Sequence, residues 1–440
     1  MGRGANTTKG VSHIEPRQIS FAEFSKHNKR DDQWLAINDK VYDITEFAKR
    51  HPGGAKILNH FAGEDATDAW TAFHNDKEKV SKYMKSIYVG DIGDMYCCFV
   101  SQSGLQRDFR ELRELVERRG WMDSPKLFFI LSFLQCILLE VAAVVVLSYG
   151  GVSVYTLVLS MLLLATSQAQ SGWIQHDVGH HSVFKDMKRA HFLHHIVVGF
   201  LKGASSKWWN FRHFQHHAKP NRVKKDPDIE LARLFLIGDN LPLEFGKRKK
   251  GTMPYQHQHK YFFLLGPPLL LPFYFHFEII YFCIKRGYWL DLFLSMAYFY
   301  RVGFLFGPIL GGWGTYFFYI GMRFIESHWF TWVTQMSHLP NDVARDTETM
   351  DWFTMQLKTT CNVEPGVFND WFTGHLNYQI EHHLFPTMPR TNFHKVRPLV
   401  MELCKKYNIE YRSKTLLTAF ADIVRMLKKS GQIWYDAYYE

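Results

Sequence analysis

The sequence predicts a small α+β domain followed by an all-α membrane domain with about four transmembrane helices and cytosolic histidine-rich helices. Three observations predict it. Apolar residues alternate with period two only within roughly the first 95 residues, stretches long enough to cross a hydrocarbon core begin after residue 126, and paired or triple histidines follow those stretches. The resulting boundaries are 17–94 for the small domain, 95–125 for a linker with an interfacial helix, and 126–430 for the membrane domain. A length of 440 residues with 47% hydrophobic and 21% charged residues excludes a disordered tail protein and a disulfide-stapled mini-domain. The net charge of +10 suits nucleic acid, an anionic membrane face or an anionic substrate, so charge alone decides nothing.

In the first domain, Trp34, Leu35, Ile37, Val41 and Tyr42 predict short strands, and helical patterns follow around Glu46 to Phe47 and Ala55 to His60. The opening MGRGANTTKG is polar and is no secretory signal, so the amino terminus is expected in the cytosol. Cys97, Cys98, Cys136, Cys283, Cys361 and Cys404 form no CxxC pair, which fits a reducing compartment. RDFRELRELVERRG reads as a charged amphipathic helix ended by Gly120 and lying near a lipid surface.

Residues 127–149 and 152 to about 170 predict a transmembrane hairpin turning at Gly150 and Gly151, with Glu140 an unexplained polar position inside the first span. Residues 172–260 hold 16 Lys or Arg against 7 Asp or Glu, which places them on the cytosolic side. Apolar sequence returns at 261–283 and at 289–320, the latter interrupted by Arg301. The glycine-rich FGPILGGWG at 306–314 is expected to serve close helix packing, and the carboxyl end carries an amphipathic stretch around 392–428.

HPGG, with His51, Pro52, Gly53 and Gly54, is followed by His74 after 23 residues. Two neutral imidazoles approaching from opposite sides can fill both axial positions of a haem iron, which makes an electron carrier. Glycines beside His51 would let the backbone approach the macrocycle edge. An ordinary turn with a structural histidine fits the same spacing. VYDITEFAKRHPGG through FAGEDATDAWTAFH resembles the cytochrome b5 family across roughly 17–94, and the resemblance covers both expected haem ligands, His51 and His74.

HDVGH sets His176 and His180 four residues apart on one helical face, HFQHH gives His213, His216 and His217, and QIEHH gives Gln379, His382 and His383. Single pairs of this kind are usually caps or core groups. Three of them at the ends of membrane-associated segments favour metal binding, because imidazole is costly in hydrocarbon. Seven histidines exceed what one zinc needs, and imidazole-rich sites with vacant positions suit two six-coordinate irons. His338 is a further candidate ligand with His328 as its competitor, whereas His191, His194 and His195 suit an interfacial or substrate-gate role. A shared centre requires the boxes on one membrane face, which is met if 289–320 counts as a single crossing, the fourth.

HDVGH, WWNFRHFQHHAKPN and DWFTGHLNYQIEHHLFPTMPR resemble the membrane fatty-acid desaturases, and with the fused haem module the chain resembles their front-end subfamily. The resemblance implies iron ligation by His176, His180, His213, His216, His217, His382 and His383, with Gln379 standing where the usual third box has histidine. It further implies a cis double bond introduced between an existing double bond and the carboxyl end of a polyunsaturated fatty acyl-CoA. Haem b and two iron ions would be the cofactors, NADH-cytochrome b5 reductase the electron donor and O2 the oxidant. The setting would be the endoplasmic reticulum membrane, multi-pass, among membrane lipids, with both termini cytosolic and no nucleic acid partner.

Lys202, Lys207, Lys224, Lys225, Lys247, Arg248, Lys249 and Lys250 would hold the phosphates of coenzyme A or anionic headgroups. Asp177 and Glu381 are expected to orient ligand imidazoles. The alternatives are a membrane di-iron lipid hydroxylase and a non-catalytic haem-binding membrane adaptor.

Overall fold

A computed structural model describes residues 17–93, 104–230, 233–345 and 350–440. The amino-terminal MGRGANTTKG, Cys97 and Cys98 lie outside the described residues, and the four described cysteines are free. The described residues form two compact units, one within 17–67 and 77–93 and one within 68–76 and 104–440.

In the first unit a five-stranded sheet is built from Gln18–Ile19 (β1), Asn28–Lys29 (β2), Asp32–Ile37 (β3), Lys40–Asp43 (β4) and Tyr88–Ile92 (β5), in the order β1-β5-β4-β3-β2. Only β1 and β5 are parallel. The β3–β4 hairpin turns through Asn38 and Asp39, at φ 50° and 60°, the left-handed pair that a tight hairpin demands and that these two residue types tolerate. Its register opposes Leu35 to Tyr42 and Ala36 to Val41, so the predicted strands are the central pair. Ile19, Phe24, Trp34, Ala36, Val41 and Ile92 form the core beneath.

In the second unit, helix Gly104–Arg118 ends at Gly120 (φ +67°) as expected, and its apolar stripe packs on protein. Phe109 packs on Trp352, Phe353 and Phe385, and Arg113 Nη2 donates to the Leu384 carbonyl at 2.7 Å. The helix supports the segment that carries the third histidine box.

Among the described residues, four helices are long and apolar enough to cross a membrane: Lys126–Gly150, Val154–Gly179, Pro267–Arg286 and Trp289–Gln335. The first two form the expected hairpin, turning at Gly151 (φ +69°) and restarting with a Ser153–Thr156 capping box. Ser160 and Ser167 hydroxyls donate to the Ala143 and Cys136 carbonyls, the small-residue contacts by which helices pack in lipid. Glu140 pairs with Arg301, so each satisfies the other inside the bundle.

The reading of 289–320 as one crossing is corrected. Backbone dihedrals leave the helical region at Gly311 (φ 69°, ψ 175°), and the chain folds back there. The rings of Phe299 and Tyr319 lie 5.7 Å apart and those of Phe306 and Phe318 4.8 Å, whereas a straight helix would separate the first pair by about 30 Å. The two arms, 289–310 and 312–335, therefore form a second hairpin. Gly311 makes a turn and not a close helix contact, since an added Cβ at Gly307, Gly311 or Gly312 would meet nothing within 4 Å.

Residues 267–286 stay near the histidine end. Glu278 pairs with Arg212 at 3.0 Å, and the Leu271 N–H donates to Ser327 at 3.1 Å. Four bundle arms result, two from each hairpin, and the number of crossings between the first and last boxes is even. The carboxyl-terminal amphipathic stretch is two helices, Phe393–Lys406 and Leu416–Tyr439.

Candidate metal and haem sites

Each histidine box is positioned by its own device. His176 and His180 sit where helix Val154–Gly179 runs beyond its apolar stretch and ends. An added Cβ at Gly179 would lie 2.3 Å from the Trp209 ring, so the glycine of HDVGH makes room for an indole that stacks on His213 at 4.2 Å. Helix Ser206–Ala218 carries His213, His216 and His217; the Asp291 carboxylate anchors its start, accepting from Ser205 Oγ, Ser206 Oγ and the Lys207 N–H. That places a negative charge at a helix N-terminus, where the macrodipole favours it. Helix Gln379–Leu384 carries the third box and is pinned by Asn362, whose Oδ1 accepts from the Ile380 N–H at 2.8 Å.

The imidazoles assemble into two adjacent groups. His176, His180, His213, His217 and His382 form one, and His216, His338 and His383 the other; within each, ligand atoms all lie within 4.8 Å of one another. In the first, His213 Nε2 is 2.8 Å from His180 Nε2 and 3.1 Å from both His176 Nε2 and His217 Nε2. Metal–imidazole bonds of about 2.1 Å give ligand–ligand edges of about 3.0 Å in an octahedron and about 3.4 Å in a tetrahedron. The three edges at His213 are nearer the octahedral value. His217 Nδ1, His382 Nε2 and His383 Nε2 are buried without a protein hydrogen-bond partner, a costly condition that a cation relieves at any of these atoms that faces it.

Burial holds His180, His213, His217, His382 and His383 well below the usual histidine range and pulls His338 down to about 3. They are neutral at physiological pH, the state in which imidazole ligates. His216 differs: burial pulls it down, but the Asp226 carboxylate outweighs burial and raises it.

In the second group each Nδ1 has a partner, which aims each Nε2 inward. Asp226 Oδ2 lies 2.8 Å from His216 Nδ1, Gln356 Oε1 lies 2.8 Å from His383 Nδ1, and the Thr359 carbonyl lies 3.3 Å from His338 Nδ1. Gln379 Nε2 is 2.7 Å from His338 Nε2, which brings the amide to this group's edge.

The structure thus brings together all eight predicted histidines and Gln379. His328 lies apart, its ring 4.8 Å from Phe324. His194 bonds Gln175 at 3.1 Å and His195 bonds Ser206 at 2.9 Å, while His191 packs its ring on His181 at 5.0 Å; none joins either group.

Two carboxylate expectations are corrected. Asp177 pairs with Arg390 at 3.2 Å, and Glu381 accepts from Asn362 Nδ2 and the Tyr411 hydroxyl, both at 2.7 Å. They fix the histidine-bearing segments rather than the rings. The imidazole-orienting carboxylate is Asp226, which sequence reasoning missed; its signal was KDPD ten residues beyond His216. Lys202 is also corrected: it is half-buried, bonded to Glu326 Oε1 at 2.5 Å and to the Gln168 carbonyl at 2.6 Å, and is no phosphate ligand. Lys207, Lys224 and the run Lys247 to Lys250 are exposed.

A cleft of about 1430 Å³, including its open mouth, reaches both groups through His176, His213, His216, His338 and Gln379. Trp173, Trp208, Ile229, Leu271, Phe275 and Phe330 line its apolar part.

The predicted haem ligands fit that role. His51 Nδ1 lies 3.4 Å from the Gly54 carbonyl and His74 Nδ1 2.8 Å from the Trp70 carbonyl, which directs ligation to Nε2 in both. Burial lowers the pKa of His74 and keeps it neutral. An added Cβ at Gly53 would lie 2.9 Å from His51 Cε1, so this glycine makes room for the ligand ring itself.

Comparison with known families agrees with both parts. The family model described as fatty acid desaturase matches residues 153–415, and that of the cytochrome b5-like heme/steroid binding domain matches residues 20–93. A solved structure, cytochrome b5 of Ostreococcus tauri virus 2, is 38% identical over 17% of this chain and 95% of its own, with a TM-score of 0.16. The chain belongs to the fatty acid desaturase family, with a cytochrome b5-like domain fused ahead of the desaturase domain in the architecture of front-end desaturases.

Proposed function

We propose that this protein is a front-end desaturase that introduces a cis double bond between an existing double bond and the carboxyl end of a polyunsaturated fatty acyl-CoA. O2 is the oxidant, and electrons come from NADH-cytochrome b5 reductase through haem b. It works in the endoplasmic reticulum membrane with both termini cytosolic. The observation that carries this reading is the convergence of eight imidazoles, six of them buried and two half-buried, with Gln379 into two adjacent groups at one cleft.

An iron pair held there supplies the oxygen activation that removing two unactivated hydrogens requires. His176, His180, His213, His217 and His382 would hold one iron, and His216, His338 and His383 with Gln379 the other. The chain's own contribution is positioning. Asp226, Gln356 and the Thr359 carbonyl fix three rings, and the apolar cleft wall holds the acyl chain and excludes water. Exposed Lys207, Lys224 and Lys247 to Lys250 suit the phosphates of coenzyme A.

Expression in a host lacking polyunsaturates, with candidate fatty acids fed one at a time, tests the reading. The expected product is two hydrogens lighter, with its new double bond on the carboxyl side of an existing one. A product heavier by one oxygen identifies a hydroxylase, and unchanged lipids identify a haem-binding adaptor.

A further inference from the structure

The segment Asp68–Asp76 packs with the second compact unit, the one that holds the histidine groups. Helix Thr67–Phe73 ends at the residue before His74, the candidate haem ligand. Polar contacts fix the segment on both sides of Phe73: Thr387 Oγ donates to the Ala72 carbonyl at 3.5 Å, and Asn75 Nδ2 donates to the His181 carbonyl at 3.2 Å. Farther along, Arg110 pairs with Asp68 at 3.1 Å.

Between those contacts the Phe73 ring stands edge-on to His217, with centroids 6.5 Å apart at 88°, and 6.1 Å from Phe214. His217 belongs to the five-histidine group and stacks on His383 of the other group at 4.1 Å and 19°. One aromatic side chain thus separates a candidate haem ligand from the imidazole at which the two histidine groups meet.

We propose that Phe73 is the positioning residue for electron transfer from the haem to the iron pair, along His74, the bonded backbone and ring of Phe73, and His217. The inference rests on the function proposed above. Each transfer oxidises a ferrous haem to ferric and reduces one iron of the pair from ferric to ferrous; the flavoprotein reductase restores the haem. Two such electrons and two protons from solvent join the two electrons and two protons lost from the acyl chain, which together reduce one O2 to two waters. Coupling through bonds and an intervening aromatic ring exceeds coupling across an empty gap, so the aromatic ring matters beyond its bulk.

The test uses the full chain loaded with haem and iron, with the haem reduced by NADH and reductase, then mixed with O2 and a polyunsaturated acyl-CoA. The haem absorbance follows its reoxidation. Phe73→Leu is expected to slow that phase severalfold while the haem spectrum, the rate of haem reduction by the reductase and the iron content stay unchanged. Phe73→Trp, which keeps an aromatic ring, is expected to restore most of the rate. Wild-type reoxidation in Phe73→Leu, or equal slowing in both variants, overturns the relay. Wild-type protein that carries no non-haem iron or forms no unsaturated product overturns the parent reading instead.

Discussion

The two histidine groups use the same side chain in different settings. The five-histidine group is crowded, with three Nε2–Nε2 edges of 2.8–3.1 Å and His217 Nδ1 lacking a protein partner. The three-histidine group has fewer rings, but each Nδ1 is held, one of them by the Asp226 carboxylate. The first is organised by ligand number and the second by outer support. A carboxylate behind an imidazole raises its basicity, so the smaller group compensates in donor strength for what it lacks in count.

The largest expected effect comes where the groups meet. His217 is a member of one and stacks on the other, so His217→Ala should remove both non-haem irons and all product while leaving the haem spectrum intact. Metal analysis beside product chromatography checks this; retention of one iron would show that the groups fill independently. His51→Ala should do the converse, losing the haem spectrum and most product while non-haem iron stays bound. Asp226→Asn acts on the smaller group alone and should weaken metal binding there roughly 10–100-fold, read as loss of one of two non-haem irons during dialysis against a chelator.

The smallest effect is a pH dependence of the metal-free protein. Six imidazoles of the two groups have folded pKa values below the unfolded one of about 6.5, so below that pH the unfolded chain binds more protons and stability falls as pH falls. His216 has the opposite sign: its share is full below about 6.5 and is lost as pH rises through its raised folded value. Six against one, the thermal midpoint of metal-free protein should drop from pH 7.5 to pH 6. A flat profile would place these rings in water.

The grouping of the histidines was legible in the sequence because helical spacing puts i, i+3 and i+4 residues on one face, and each box needed only that local rule. Single residues whose partners lie far along the chain were less legible. Asp226 and Gln356 are ordinary polar residues until folding sets them against His216 and His383. Lys202 looks like its exposed neighbours in sequence, and only the distant, buried Glu326 makes it an ion-pair partner. The fold-back at Gly311 was hidden for a related reason: Arg301 drew attention as the break, yet its charge is satisfied by Glu140 and the arm runs past it as helix. In the small domain the β3–β4 hairpin was readable from alternation, whereas the very short β1 and β2 gave too little pattern to predict.

Total iron per chain in the purified full-length protein tests the central claim most directly. The account predicts three iron atoms, one released with the haem and two retained by the histidine groups. A single iron, all of it in haem, in protein that still desaturates its substrate would contradict it.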